Sequence, residues 1–191
     1  MTDRWVGELN LASPVGNICI VDEPDYPLNS PDKSLAYPWP LARSYPWEID
    51  LGTGLFGSRH GVLVNDRPTV IIGGGFGTTV HSHSALILED RLLVAVGDHV
   101  ACFSLQPFEL EWSVEVDFAT CFGLHFSATH NALISHGEVT ISRLSRQGEV
   151  LWCEGGRDIF TGDFTLAPDF VEAHDFNGER YRFGYETGAA I

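Results

Sequence analysis

Short apolar runs alternate with turn-forming residues along most of the chain. From Val62 onward a β-type run returns about every 8–12 residues, as in Thr69–Ile72 and Leu92–Val96. Residue pairs that favour turns, such as Gly97–Asp98 and Asn177–Gly178, separate the runs. No long segment has the spacing of apolar residues that a helix requires. The pattern predicts an all-β body of short antiparallel strands.

The first 22 residues have the pattern of a β-hairpin. Leu9 and Leu11 alternate with polar neighbours, and Ser13–Gly16 has the composition of a turn. Ile18–Val21 is a second apolar run of strand length. We therefore predict an N-terminal β-hairpin within residues 1–22.

Residues 23–47 form a segment of different composition, which holds six of the ten prolines. Proline lacks a backbone donor and has a fixed φ, so neither a helix nor a central strand is expected here. We predict an extended arm, followed by the all-β body at 48–191 within a single domain. The aromatic residues of this arm either pack on the domain or bind a partner, because Tyr and Trp are enriched at interfaces. The candidates for partner binding are Tyr37, Trp39, Tyr45 and Trp47.

The body repeats itself with a period of about 40 residues. Trp112 and Trp152 are 40 residues apart, and the turn glycines Gly137 and Gly178 are 41 apart. A third, shorter copy covers residues 171–188. This period is the length of a four-stranded propeller blade. We therefore predict blade-like antiparallel sheets, arranged as a partial propeller or an open β-sandwich.

The segment Gly148–Trp152, a Gly-x-x-x-Trp motif, resembles the repeat of quinoprotein-like (PQQ-type) propellers. Three other segments are similar to an uncharacterised family of short bacterial proteins, for which the resemblance implies no activity. They are Cys121–Gly123, Ile134–Glu138 and Arg157–Gly162. The resemblance covers residues 85–188 and implies blade architecture only.

The repeats depart from that family pattern in two places. Gln106–Glu109 has no glycine in the turn before Trp112, and the third copy has no tryptophan. Three copies are also fewer than the four to eight blades typical of closed propellers. We therefore expect an open stack of sheets, completed by the N-terminal hairpin or by a second subunit, rather than a closed ring with a cofactor in its channel.

The charge of the chain limits its partners. With 11 Lys and Arg against 26 Asp and Glu, the formal net charge is −15. Nucleic acids and anionic membranes are excluded as direct partners, since affinity for phosphate depends on Lys and Arg. A basic protein or a cation is favoured instead, although an acidic surface also serves solubility. No signal peptide begins the sequence, and the four cysteines have no C-x-x-C spacing, so the expected location is cytoplasmic.

His81 and His83 are the best candidates for metal ligands. On a strand, alternate residues share a face, so both imidazoles would project together and could hold one divalent metal ion. A third ligand would come from elsewhere in the chain, and we take His125 as the first candidate. Paired histidines are also common as hydrogen-bonded structural residues. The other candidates for the third ligand are His60, His136 and Glu138.

No catalytic residue is predicted. The glycine run Gly73–Gly77 lacks the lysine and the helix of a phosphate loop, which favours a turn or bulge. No Gly-x-Ser-x-Gly motif is present, and the spacing of Cys121 and His125 does not suit a nucleophile pair. Asp158 and Asp163 flank a loop glycine, where turn formation is the common role and cation binding or acid–base chemistry the other.

We expect a non-enzymatic binding protein whose partner is unknown, with an immunity-like inhibitor of a basic protein as one concrete form. The alternative is a small metal-dependent hydrolase centred on His81 and His83, in which the cofactor is a divalent metal ion. A purely structural homo-oligomer, whose sheet edges pair across a two-fold axis, is the third hypothesis.

Overall fold

A computed structural model describes residues 7–30, 43–52 and 57–191. These residues form sixteen β-strands and contain no helix, so none of them belongs to a helix that could span a membrane. The all-β prediction is therefore confirmed. Tyr37 and Trp39 lie outside the described residues.

The strands form four sheets, which we call A to D in chain order. Sheet A contains β1 (Glu8–Ser13), β2 (Gly16–Asp22), β3 (Trp47–Leu51), β4 (Ser58–Val64) and β5 (Arg67–Gly74). Sheet B contains β6 (Ala85–Leu88), β7 (Arg91–Val96), β8 (His99–Leu105) and β9 (Phe108–Glu115). Sheet C contains β10 (Cys121–Ser127), β11 (Ala132–Gly137), β12 (Thr140–Leu144) and β13 (Val150–Gly155). Sheet D contains β14 (Phe164–Leu166), β15 (Phe170–His174) and β16 (Arg180–Gly184).

Sheets B, C and D are antiparallel meanders in chain order, as the repeat predicts. The N-terminal hairpin is also confirmed, because β1 and β2 pair with Leu9 opposite Ile20. Sheet A has the order β1-β2-β4-β5-β3 and departs from the antiparallel prediction at one edge. There β3 pairs in parallel with β5, with Ile49 opposite Ile72.

The inner strands of sheet B are buried on both faces, which explains the apolar runs of β7 and β8. In β7, Leu92 and Val94 belong to the core between sheets A and B, whereas Leu93 and Ala95 belong to the core between sheets B and C. Alternate residues of a strand point to opposite faces, so one apolar run serves two cores. A third core lies between sheets C and D and includes Phe160.

The two tryptophans of the repeat connect successive sheets. The indole N–H of Trp112 in sheet B donates to the carbonyl of Arg146 in sheet C at 3.1 Å. The indole N–H of Trp152 in sheet C donates to the carbonyl of Tyr185, just after sheet D, at 2.8 Å. Both tryptophans of the repeat are therefore inter-sheet packing anchors.

The two ends of the stack differ. The outer face of sheet A is covered by Tyr26 and Tyr45 of the arm, whose ring centroids lie 5.5 Å apart in an edge-to-face contact. The outer face of sheet D carries charges, since Arg182 binds Glu172 at 2.7 Å and lies over the ring of Phe170.

Candidate functional site

The connections between successive sheets lie on one face of the stack, because a four-stranded meander begins and ends on the same side. Backbone hydrogen bonds join each connection to a turn of the preceding sheet, from Cys121 N to Gly97 O in the β7–β8 turn (2.7 Å) and from Phe160 N to Glu138 O in the β11–β12 turn (2.6 Å). We call this surface the linker face. It consists of residues 74–84, 97–98, 116–120, 137–139, 156–163 and 175–179.

A cavity of about 580 Å³ opens on the linker face, where the first strands of sheets B, C and D begin. Its walls hold four imidazoles, three phenyl rings and one carboxylate, and we call it the histidine cavity. The carboxylate is that of Asp163, which is exposed at the rim. The histidines are His81, His83, His125 and His136, and the phenylalanines are Phe122, Phe160 and Phe164.

His81 and His83 do not lie on a strand, so this part of the sequence-based expectation is wrong. They occupy a turn before β6, in which the Ser84 amide donates to the carbonyl of His81 at 3.0 Å. The amide of His83 donates to Nδ1 of His81 at 3.2 Å. The turn, rather than strand alternation, brings both rings to the cavity, with their centroids 6.2 Å apart.

His125 does lie beside His83, because Gly123 lets the two backbones approach closely. A Cβ placed on Gly123 would lie 2.6 Å from the Cβ of His83. The amide of Leu124 donates to the carbonyl of His83 at 2.8 Å. The rings of His83 and His125 consequently stack, with centroids 4.4 Å apart.

These rings stack face to face rather than aim their nitrogens at one point. As the side chains stand, no three His, Cys, Asp or Glu residues in the described part of the chain are placed to hold a metal ion. The metal site at His81, His83 and His125 therefore stays a prediction. Of the other candidate ligands, His136 lines the cavity, while His60 and Glu138 are not among its lining residues.

His136 has a nitrogen without a partner. Its Nε2 is buried and has no hydrogen-bond partner among the described residues. Burial lowers the pKa of His136 to about 4, against the opposing effect of a hydrogen bond to the Phe160 backbone. Burial, together with the neighbouring His83 and His136, lowers the pKa of His125 to about 3. Both imidazoles are therefore neutral at pH 7.

His60 is a structural histidine between sheets A and B. Its ring is fully buried, with Nδ1 3.1 Å from the carbonyl oxygen of Ala95 and Nε2 3.4 Å from that of Thr78. Burial lowers the pKa of His60 to about 4 despite these two carbonyls. His60 does not line the histidine cavity, so the structure does not place it beside His81 and His83 as a third metal ligand.

Cys121 is not a nucleophile. Its thiol is buried and lies 3.7 Å from the carbonyl oxygen of Gly123, and burial raises its pKa to about 12. A thiol with such a pKa has almost no thiolate at neutral pH. The glycine run likewise has a packing role, since a Cβ on Gly74 would clash with the backbone of Val96. Asp158 accepts from the amide of Ile159 at 2.8 Å, as a turn former does.

Three phenylalanines that the sequence analysis did not single out are exposed on the linker face. Phe118 is 76% exposed, Phe176 71% and Phe76 56%. Within the described residues only six large apolar side chains are exposed, and these are half of them. A signal was available, because all three directly follow a Gly or an Asp, residues that favour turns, where a large apolar residue has no core to enter.

Two of the four aromatic residues proposed for partner binding pack on the chain itself. Tyr45 is buried, and its hydroxyl donates to Glu23 at 3.0 Å and contacts Gly61 so closely that no side chain could replace that glycine. Trp47 is half-buried and makes an edge-to-face contact with Phe103 at 5.8 Å. The alternative in which the arm packs on the domain therefore holds for both residues, and partner binding by the arm stays a prediction.

Comparison with known proteins supports the fold and gives no function. No family model matches the chain, and no curated protein matches it. The chain is similar to a computationally designed propeller, Ika8, with a TM-score of 0.56 and 13% sequence identity. That match covers 95% of this chain and 46% of the designed one, so the chain spans about half its length.

A second structure, Hsv2 of Kluyveromyces lactis, matches over 53% of this chain and 32% of its own. Its TM-score is 0.36 and its sequence identity 10%, and we build no argument on it. The chain is thus an all-β protein of four open sheets that resemble propeller blades.

Proposed function

We propose that this chain is a non-enzymatic binding protein that recognises a basic partner protein through its linker face. The observation that carries the proposal is the exposure of Phe76, Phe118 and Phe176 on that one face. Large exposed aromatic side chains cost solvation free energy, and a surface that carries several of them is a candidate interaction site. An immunity-like inhibitor of a basic toxin is one form that this function would take.

Carboxylates on or beside the linker face set the sign of the partner's charge. Glu115, Asp158 and Asp163 are exposed on or beside the linker face. Two cations are also present there: the guanidinium of Arg157 lies 3.6 Å from Glu179, and that of Arg180 lies 3.9 Å from Glu172. With a net charge of −15, the protein attracts basic surfaces and repels acidic ones. Binding should therefore weaken as salt is added.

The blade pattern supports a scaffold role for the sheets. The contacts of Trp112 with Arg146 and of Trp152 with Tyr185 repeat at a 40-residue interval, as in the PQQ-type repeat that the sequence resembles. We propose that the similarity to the PQQ-type repeat concerns the architecture only. Folds of this kind carry function in their connecting loops rather than in their strands.

A random peptide library displayed on phage tests the proposal without knowledge of the partner. Peptides selected on the purified protein should be rich in Lys or Arg and in apolar residues, and synthetic copies should bind in a salt-dependent manner. The triple variant Phe76→Ser/Phe118→Ser/Phe176→Ser should weaken their binding at least about tenfold.

The chain offers a matched control for that variant. Leu151 and Ile191 are exposed large apolar residues outside the linker face, whereas Val150 shares a surface pocket with Phe118 and is left unchanged. The double replacement of Leu151 and Ile191 by Ser should leave peptide affinity unchanged. Selected peptides without basic residues, or an equal loss in this control variant, would reject the proposal.

A metal-dependent hydrolase is the second candidate, and the observation that favours it is the gathering of four imidazoles around one cavity. Native mass spectrometry of protein purified without chelator tests it. The hydrolase requires one bound metal ion per chain, lost in a His81→Ala/His83→Ala variant. The same spectrum distinguishes a monomer from the homo-oligomer considered as a third hypothesis.

A further inference from the structure

We infer that two copies of this chain form a closed ring of eight sheets, in which sheet D of each copy packs its outer face on the outer end of sheet A of the other. The inference concerns the two ends of the stack rather than the linker face, so it goes beyond the proposed function. Three observations carry it: sheet D has an open outer face, the two ends of the stack have opposite charge, and the chain spans about half of a propeller.

The outer face of sheet D is open. Six of the eight faces of the four sheets contribute to the three cores between sheets, and Tyr26 and Tyr45 cover the outer face of sheet A. Val171 and Ala173 of β15 are buried against sheet C, so their neighbours in the strand point to the outer face of sheet D. The strand residues that point there are all partly or largely exposed, and they are Thr165, Phe170, Glu172, His174, Arg180 and Arg182. This face is therefore available to a partner.

The open face is basic and partly apolar. The guanidinium of Arg182 lies 4.6 Å from the centroid of the Phe170 ring and 2.7 Å from Glu172. That of Arg180 lies 3.9 Å from the same carboxylate, and the Arg180 side chain is 56% exposed. The strands thus present two guanidinium groups against one carboxylate, in a chain with a net charge of −15. Because arginine and aromatic residues are enriched at protein interfaces, we expect an acidic protein surface to cover this face.

The outer end of sheet A is an acidic surface of this kind. Two guanidinium groups lie there, and both are already bound. That of Arg43 lies 2.9 Å from Glu23, and that of Arg59 donates to a backbone carbonyl of the arm at 2.7 Å. Among the described residues, the arm and β3 carry four carboxylates, those of Glu23, Asp25, Glu48 and Asp50. Opposite charge therefore favours a head-to-tail contact, in which the basic end of one copy meets the acidic end of another.

The number of sheets indicates that this contact closes into a ring rather than extends into a filament. A head-to-tail contact does one or the other, depending on the rotation between copies. The chain spans about half the length of the designed propeller to which it is similar, and the sheets of a propeller surround a central channel. Two copies with four sheets each therefore fill one ring, related by a two-fold axis along the channel. In such a ring the contact between sheets D and A occurs twice.

Sedimentation equilibrium of the purified protein measures the assembly. The expected result is a reversible dimer with twice the mass of one chain. A protein that remains monomeric up to about 100 μM has no such contact, and oligomers larger than the dimer would show that the contact does not close. Either result overturns the inference.

Charge reversal at one end of the stack tests which surfaces meet. Arg180→Glu makes the outer face of sheet D acidic, and Asp25→Arg/Asp50→Arg makes the outer end of sheet A basic. Each variant then has two ends of like charge, and the ring contains the contact twice, so the Kd of the dimer should rise at least about tenfold. All three side chains are exposed, so we expect both variants to fold, and thermal denaturation checks this.

A mixture of the two variants separates loss of the contact from loss of folding. The acidic ends of Arg180→Glu can meet the basic ends of Asp25→Arg/Asp50→Arg. Equal amounts should therefore form a heterodimer, which native mass spectrometry identifies by its mass. If the mixture remains monomeric, the head-to-tail arrangement is wrong.

Two control variants make the same kinds of charge change away from the ends of the stack. Arg157→Glu alters a side chain of the linker face that is 83% exposed, and Glu109→Arg alters an exposed side chain of sheet B. Both should leave the Kd of the dimer unchanged. Equal weakening by the controls and by the end variants would show that net charge, and not contact between the ends, governs association, and the inference would then fall.

Discussion

The indole ring of Trp112 in sheet B lies directly against the backbone of Gly148 in sheet C. A Cβ placed on Gly148 would come within 2.6 Å of Cδ2 of that ring. The next junction repeats the arrangement, since a Cβ on Gly188 would lie 2.8 Å from Cδ2 of Trp152. Both glycines have positive φ, +83° and +70°. Each Trp–Gly pair is therefore a close contact between successive sheets, and only glycine fits at its second position.

Replacing Gly148 by Ala should destabilise the protein by about 2–4 kcal/mol. One part of this cost is the left-handed backbone conformation, and the other is the overlap of the new methyl group with Trp112. The free energy of unfolding, measured by urea denaturation, checks the value. Gly178→Ala is the matched control, because Gly178 has φ +79° but open space around its Cβ position. It should cost only about 1–2 kcal/mol. Equal losses would mean that the Trp112 contact adds nothing.

Replacing Asp117 by Ala should cost about 3–5 kcal/mol. The buried carboxylate accepts from the amides of Ala119 (2.7 Å), Thr120 (3.1 Å), Val139 (2.9 Å) and Thr140 (2.8 Å), and from the Thr140 hydroxyl (3.1 Å). It thus links the end of sheet B to the β11–β12 turn of sheet C. Without it, several donors lose their acceptor in a place that water does not easily reach. Thermal and urea denaturation measure the loss.

Asp158 provides the comparison for this prediction. It is exposed and accepts from the amide of Ile159 and the side chain of Asn177. Asp158→Ala should cost no more than about 1 kcal/mol, since water replaces its hydrogen bonds. A similar loss in both variants would show that charge, and not burial of the acceptor, determines the effect.

Stability should fall as the pH is lowered from about 6.5 to about 4. Burial lowers the pKa of His60 to about 4 in the folded chain, whereas the unfolded value is about 6.5. Between these values the unfolded chain binds a proton at His60 that the folded chain does not bind. The contribution of His60 is therefore complete above pH 6.5 and decreases with acidification by an amount on the order of 3 kcal/mol. Urea denaturation at a series of pH values measures it.

The variant His60→Gln removes this titration and should reduce the slope of stability against pH by about 1.4 kcal/mol per pH unit within that window. Val100→Ala, in the neighbouring core, serves as the control because it lowers stability without removing a titrating group. Its slope should equal that of the unchanged protein. Burial also lowers the pKa of His125 and His136, so the variant should keep part of the slope. An unaltered slope in His60→Gln would show that His60 makes no contribution.

Replacing Gly61 by Ala should make Cys19 reactive. The hydroxyl of Tyr45 occupies the position of a Cβ on Gly61, so the substitution displaces Tyr45 from the outer face of sheet A. Cys19 lies under that cover, and burial raises the pKa of its thiol to about 11. Titration with Ellman's reagent should detect one fast thiol in the unchanged protein, Cys153, which is exposed, and a second one in the variant. Gly184→Ala, where a Cβ makes only ordinary contacts, should leave one fast thiol.

The local pattern of apolar and turn-forming residues was sufficient to predict the strands and the repeat. Turn residues such as Gly97 and Gly178 end strands through their own backbone preferences, and both have positive φ in the structure. The histidine turn was misassigned for the same local reason. His81-Ser82-His83 alternates like a strand, but the hydroxyl of Ser84 accepts from the His81 amide at 2.9 Å and closes a turn instead. The parallel pairing of β3 with β5 was also beyond local pattern, since it joins backbones of segments that are far apart in the sequence.

The sequence by itself determined the all-β class, the hairpin and the 40-residue period, because alternation and turn chemistry act between near neighbours in the chain. Only the tertiary structure decided which functional groups meet. His83, His125 and His136 come from a turn and two strands, and they gather because sheets B and C approach at Gly123. Likewise, Phe118 and Phe176 share a face because each meander returns the chain to one side. Such proximity arises from the packing of whole sheets, which no short window of sequence contains.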